Sequence, residues 1–89
     1  MANRRNLKKS INYIASELFT ECMVNKLYIP NTDAQKADDL MGRILKMQDE
    51  FLSRVSHAEP GNTKGFFKKL NADLQLEINS IIEEIGKLN

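Results

Sequence analysis

Three segments of the chain carry apolar residues at intervals of three and four, and two short breaks separate these segments. Because an α-helix turns once every 3.6 residues, this spacing places the apolar side chains of each segment on one helical face. No segment sustains the alternation that is typical of a strand. The pattern predicts an all-α fold, a three-helix bundle with three stripes: Leu7, Ile11, Ile14, Leu18, Cys22; Ala37, Leu40, Met41, Ile44, Phe51, Val55; Phe67, Leu70, Leu74, Ile78, Ile81, Ile85, Leu88.

Turn-forming residues set the predicted helix ends. Asn3 or Asn6 is expected to cap the first helix, since a short polar side chain accepts a hydrogen bond from a free amide. That helix should end before Pro30, because the residue preceding a proline disfavours helical geometry. The cluster Glu59-Pro60-Gly61-Asn62 separates the last two helices. The predicted helices span about 6–26, 33–57 and 63–88.

The second helix has the clearest start signal. Thr32 followed three residues later by Gln35 fits a capping box. Gly42 lies inside this helix, where it weakens the helix relative to alanine, and a closely approaching neighbour would explain it. Leu27, Tyr28 and Ile29 precede the helix, and their apolar character predicts a connection packed against the bundle end.

The size and connections of the chain favour one domain over residues 1–89. Short connections join antiparallel neighbours, so we expect an up-down-up bundle. Some apolar residues fall beside the main stripes: Tyr13, Met47, Leu76 and Ile82. These residues are compatible with a second apolar strip that forms a dimer, and equally with ordinary apolar residues exposed on a monomer.

Composition limits the class of protein without indicating a chemistry. The 13 basic and 12 acidic residues give a net charge of +1, and the hydrophobic fraction is 42%. This mixture is globular rather than disordered, and its net charge favours neither polyanions nor polycations. Cys22 is the only cysteine, which excludes an internal disulfide. We expect a cytoplasmic protein, because no segment resembles a signal peptide or a membrane span.

Charge is distributed unevenly along the first and third helices. Both begin with basic residues and become acidic later, the reverse of what the helix dipole favours. In an up-down-up bundle these basic starts share one end, together with the end of the second helix. They define a candidate interaction patch, named here the basic end: Arg4, Arg5, Lys8, Lys9, Arg54, Lys64, Lys68 and Lys69. Such an end attracts an anionic partner, or is simply solvated surface charge.

The other candidate groups do not assemble a catalytic, cofactor or metal site. His57 is the only histidine, and its place at a helix end favours interaction with the helix dipole. Cys22 lies on the apolar stripe, which predicts a buried, inert thiol. Arg43 and Lys46 fall off the stripe and are expected to be solvated. No phosphate-binding loop or nucleophile motif is present in the sequence.

Two adjacent aromatic residues form another candidate interaction patch. Phe66 and Phe67 stand beside Lys68 and Lys69, so one ring is expected to face the core. The other ring is either partly exposed to a partner or wedged under the Pro60-Gly61 turn, and the sequence favours the wedge.

The opening segment resembles a known group of proteins. Residues 4–14 with Glu17-Leu18-Phe19 and Glu21-Cys22 are similar to the start of a family of short, uncharacterised bacterial helical proteins. The resemblance covers about the first quarter of the chain, and implies no activity and no site residues.

These observations favour a non-enzymatic protein-interaction or oligomerisation module, without a cofactor or a small-molecule ligand. The alternative is a nucleic-acid-binding accessory protein that uses the basic end. Salt distinguishes them, because phosphate contacts weaken steeply as salt rises and apolar contacts do not.

Overall fold

The computed structural model describes residues 4–57 and 63–89 and confirms the all-α three-helix bundle. Its helices are α1 (Arg4–Tyr28), α2 (Ala34–Ser56) and α3 (Thr63–Gly86). The bundle is elongated, with extents of 50 × 19 × 18 Å. α1 packs most extensively against α2, whereas α1 and α3 meet over a small area. The side between α1 and α3 is therefore the least closed side of the bundle.

Polar links between helices show the up-down-up arrangement. Asn89 Nδ2 donates to Oδ1 of Asn25 at 2.9 Å, which joins the ends of α1 and α3. The backbone N–H of Asp33 donates to the carbonyl of Leu88 at 3.0 Å, which joins the start of α2 to the same end. α1 and α3 are consequently parallel, and their starts lie at the opposite end of the bundle.

The three stripes form one core. Each stripe contributes side chains that are fully or nearly fully removed from solvent: Ile11, Ala15, Leu18, Cys22; Ala37, Leu40, Ile44, Met47, Phe51, Val55; Leu70, Leu74, Ile78, Ile81, Leu88. Asn25 is the buried polar residue of this core in the described part of the chain. Its amide is satisfied, since Nδ2 donates to the carbonyl of Glu21 and Oδ1 accepts from Asn89.

The helix starts differ from the predicted caps. Asp33, not Thr32, caps α2: its backbone is extended, and its side chain accepts from the N–H of Lys36. Thr32 instead accepts from Nδ2 of Asn89 at 3.1 Å. Asn6 lies inside α1 and is not its cap, while Asn3 falls outside the described residues.

The connection between α1 and α2 also differs from its prediction. Leu27 and Tyr28 belong to α1, which ends two residues later than expected, and neither they nor Ile29 pack against the bundle end. The turn is made instead by Asn31, whose φ of 67° lies in the left-handed region that asparagine tolerates well.

Two expectations about α2 are wrong. Gly42 is not a point of close approach, because a methyl group at its Cβ position would have no neighbour within 4 Å. Met47 is not beside the core but in it, with 3% of its surface exposed. Its place follows the regular spacing 40, 44, 47, 51 and 55 along one face of α2.

Candidate interaction surfaces

The basic end is built by the parallel starts of α1 and α3. Several of its cations have no acidic partner among the residues that the structure describes, and all of these are exposed except the half-buried Lys8: Arg5, Lys8, Lys9, Lys64, Lys68 and Lys69. The side chain of Arg4 lies outside the described part. Asp49 and Glu50 on α2 are exposed toward the same end and reduce its positive potential.

Arg54 does not contribute a free charge to this end. Its Nη2 donates to Oδ2 of Asp73 on α3 at 2.9 Å, and its guanidinium lies 5.0 Å from the ring centre of Phe51. A guanidinium over an aromatic face and beside a carboxylate is held by two attractive contacts. Arg54 therefore ties α2 to α3 rather than presenting a cation to a partner.

The opposite end is acidic but internally paired. Lys26 on α1 donates to Asp38 on α2 at 2.7 Å, and Lys87 approaches Glu84 at 3.6 Å. In the middle of α1, by contrast, Glu17 and Glu21 form no salt bridge with any described residue. Glu17 accepts a hydrogen bond from the hydroxyl of Tyr13, which raises the pKa of that phenol.

A groove runs between α1 and α3, the pair of helices with the smallest contact. It has a volume of about 520 Å³. Leu18, Ile82 and Ile85 provide apolar lining, while Glu17 and Glu21 on α1 are exposed carboxylates of the same groove. Ser16, Thr20 and Tyr13 complete it. The groove is therefore suited to a segment whose apolar side chains contact Leu18, Ile82 and Ile85. Cationic groups of that segment would contact Glu17 and Glu21.

Exposed apolar side chains concentrate on α1. Tyr13 is 65% exposed in the middle of this helix. The last turns of α1 and the residue after it add a nearly continuous exposed apolar segment: Met23, Val24, Leu27, Tyr28 and Ile29. Leu76 and Ile82 on α3 are also exposed, as the stripes predicted. Isolated exposed apolar residues are common, but a cluster indicates a surface that binds a partner.

Arg43 is placed differently from its prediction. It is partly exposed rather than fully solvated, and it reaches across to α3, where Nε donates to Glu77 at 2.8 Å and Nη2 donates to Ser80 at 2.9 Å. Arg43 and Glu77 are 34 positions apart, so no local sequence signal identifies the pair. Lys46 is exposed, as expected.

The surroundings of the single cysteine and the single histidine are those of residues with a structural role. Cys22 is fully buried, and this burial raises the pKa of its thiol, so the reactive thiolate is disfavoured. His57 caps the end of α2: its backbone N–H donates to the carbonyl of Ser53 at 3.0 Å. Ring Nδ1 lies 2.7 Å from the same oxygen, which can only accept, so Nδ1 carries a proton.

The two adjacent phenylalanines pack on each other. Their ring centres are 5.4 Å apart in an edge-to-face arrangement, which is a favourable geometry for aromatic pairs. Both rings are partly buried and pack against the core. The Pro60-Gly61 turn lies outside the described residues.

Two kinds of site are absent from the described residues. These residues contain no group of three or more His, Cys, Asp or Glu side chains arranged to hold a metal ion. None of their helices combines the length and apolar character that crossing a bilayer requires.

Comparison with family models, curated proteins and solved structures found no match to this chain. The resemblance to a bacterial helical family stays a prediction.

Proposed function

We propose that this chain is a non-enzymatic interaction module that binds another protein surface through α1. The observation that carries the proposal is the concentration of exposed apolar side chains on α1, from Tyr13 to Ile29. The bundle core forms without them, since the buried residues of all three helices already belong to one cluster. Exposed aromatic and aliphatic side chains of this kind are what protein interfaces cover.

The groove beside α1 supports the same proposal. It joins an apolar floor to two carboxylates that have no cation partner in the described part of the chain.

A cytoplasmic location in a bacterium belongs to the proposal as well. A single free, buried thiol is typical of a protein in a reducing compartment such as the cytoplasm. The resemblance of the opening segment is the reason for proposing a bacterium.

In-cell photocrosslinking tests this proposal. A benzophenone amino acid replaces Tyr28, which is 76% exposed, or Leu27, and a matched control carries it at exposed Glu50 on α2. We expect light-dependent protein adducts from the two α1 positions and not from position 50. Absence of adducts at both positions 27 and 28 would contradict the proposal.

A second function, binding of nucleic acid, is favoured by one observation. The lysines of the basic end lack acidic partners among the described residues, and Lys68 and Lys69 present two of them on α3. Fluorescence anisotropy with duplex and single-stranded probes tests it at low and physiological salt. Binding that weakens with salt and is lost in Lys68→Glu/Lys69→Glu supports this function. No binding at low salt would exclude it.

A further inference from the structure

Five exposed residues on α1 follow one another at intervals of four, in the order basic, basic, aromatic, acidic, acidic. They are Arg5, Lys9, Tyr13, Glu17 and Glu21. Residues four apart lie in one row on a helix surface, and such rows are the ridges with which helices pack. At 1.5 Å per residue this row, named here the α1 row, is about 24 Å long.

Apart from the hydrogen bond that Tyr13 donates to Glu17, the charges of the α1 row are not arranged to stabilise their own helix. Arg5 and Lys9 are like charges four residues apart, and so are Glu17 and Glu21; both spacings are unfavourable within a helix. Arg5 also stands in the first turn, at the positive end of the helix dipole. None of the four charged side chains forms a salt bridge with another described residue. A counter-charge from outside the molecule would relieve each of these repulsions.

The charge order of the α1 row is complementary to itself when reversed. In an antiparallel pairing centred on Tyr13, Arg5 of one copy faces Glu21 of the other and Lys9 faces Glu17. Each pair then occurs twice, as a two-fold axis requires. We propose that a second copy of this chain binds antiparallel along the α1 row, with the two Tyr13 side chains at the axis. A parallel pairing would oppose like charges throughout.

The groove between α1 and α3 extends this contact beyond the charges. Glu21 lines the groove together with Ile82 and Ile85. An arginine that approaches Glu21 therefore lays its methylene stem over these isoleucines while its guanidinium meets the carboxylate. Ile82, which is 53% exposed, would be covered in the pair. The proposal rests on the proposed interaction function and specifies its partner.

Charge exchange provides the test, with sedimentation velocity as the readout. Glu17→Lys/Glu21→Lys makes the α1 row entirely basic, and Arg5→Glu/Lys9→Glu makes it entirely acidic. We expect each variant to dimerise at least about tenfold more weakly than the original chain. An equimolar mixture should form the mixed dimer, because basic and acidic rows then face each other. Combining all four substitutions in one chain should restore self-association.

Matched controls carry the same charge changes on α2. Lys36→Glu/Lys46→Glu and Asp49→Lys/Glu50→Lys alter exposed residues outside the α1 row and should leave the dimer within about twofold of the original. Circular dichroism verifies that every variant is folded. Controls that weaken the dimer equally, or a mixture that does not associate, would overturn the proposal. A strictly monomeric original chain would overturn it too. In that case the crosslinking experiment at position 28 would still test the interaction function independently.

Discussion

Arg43 on α2 donates from Nε to Oε1 of Glu77 on α3 at 2.8 Å, and this pair spans the less extensive of the two contacts that α2 makes. The same guanidinium reaches Ser80 from Nη2. Both ionic partners are about one-third exposed, so water and salt screen their attraction. The geometry nevertheless holds the guanidinium from two sides and links α2 to α3.

Loss of this link should destabilise the bundle modestly. We expect Arg43→Ala to lower the free energy of unfolding by about 1 kcal/mol, because one ion pair and one hydrogen bond disappear from a partly exposed site. Lys46→Ala, an exposed change on the same helix, should stay within about 0.5 kcal/mol of the original. Urea unfolding followed by circular dichroism measures both. A loss that persists unchanged in 1 M salt (about 3 Å Debye length) would contradict an electrostatic origin.

A glycine inside α2 offers a simple gain in stability. Gly42 sits mid-helix with open space at its Cβ position, so Gly42→Ala should raise the free energy of unfolding by about 0.5–1 kcal/mol. The gain comes from the lower conformational entropy of the unfolded chain. Gly86, which has the same open space but ends α3, serves as the control and should gain less when replaced by alanine. A destabilised Gly42→Ala variant would reveal a contact at this position.

The cap of α2 can be assigned by paired substitutions. Asp33→Ala should lower stability by about 1 kcal/mol, because the N–H of Lys36 loses its acceptor. Asp33→Asn retains an acceptor and should recover most of that loss. Thr32→Ala is expected to have the smaller effect, since Thr32 accepts only from the exposed amide of Asn89. Thermal unfolding ranks the three variants, and the reverse order would favour the capping box at Thr32.

Stability should decline in alkaline solution because of Cys22. Burial raises the pKa of this thiol in the folded state, whereas the unfolded thiol ionises near its ordinary value of about 8.5. Above that pH the unfolded chain releases a proton that the folded chain retains, so unfolding becomes more favourable as pH rises.

Urea midpoints measured at about pH 7.5 and 9.5 test this dependence. We expect a smaller decline in Cys22→Ala, whose overall stability is lower but which lacks the titrating thiol. Equal declines in both proteins would assign the alkaline loss to another group.

The sequence predicts the core well, because helical periodicity identifies which side chains are buried without knowledge of their partners. Ile11, Ile44 and Ile81 come from three different stripes and are all fully buried. Met47 could have been included by following the same spacing through α2. Periodicity fails at Leu27–Ile29, since apolar character does not show whether a neighbouring helix reaches that far.

The polar contacts required the structure. Thr32 and Asp33 are adjacent potential caps, and the backbone bond from Asp33 to Leu88, 55 positions away, helps to decide between them. Arg43 and Glu77 become neighbours only once α2 and α3 have a register. Whether a cation of the basic end is paired likewise depends on which acids the fold brings near: Arg54 meets Asp73, whereas Lys68 and Lys69 meet no acidic partner among the described residues.

The unequal packing of the helices has a consequence for the order in which the molecule opens. α1 and α2 form a hairpin whose contacts are mostly with each other, whereas α3 meets α1 over little area. Regions with fewer tertiary contacts open at lower free energy. Amide hydrogens of α3 are therefore expected to exchange with solvent before those of α1 and α2, leaving the hairpin as the last protected unit of the native chain.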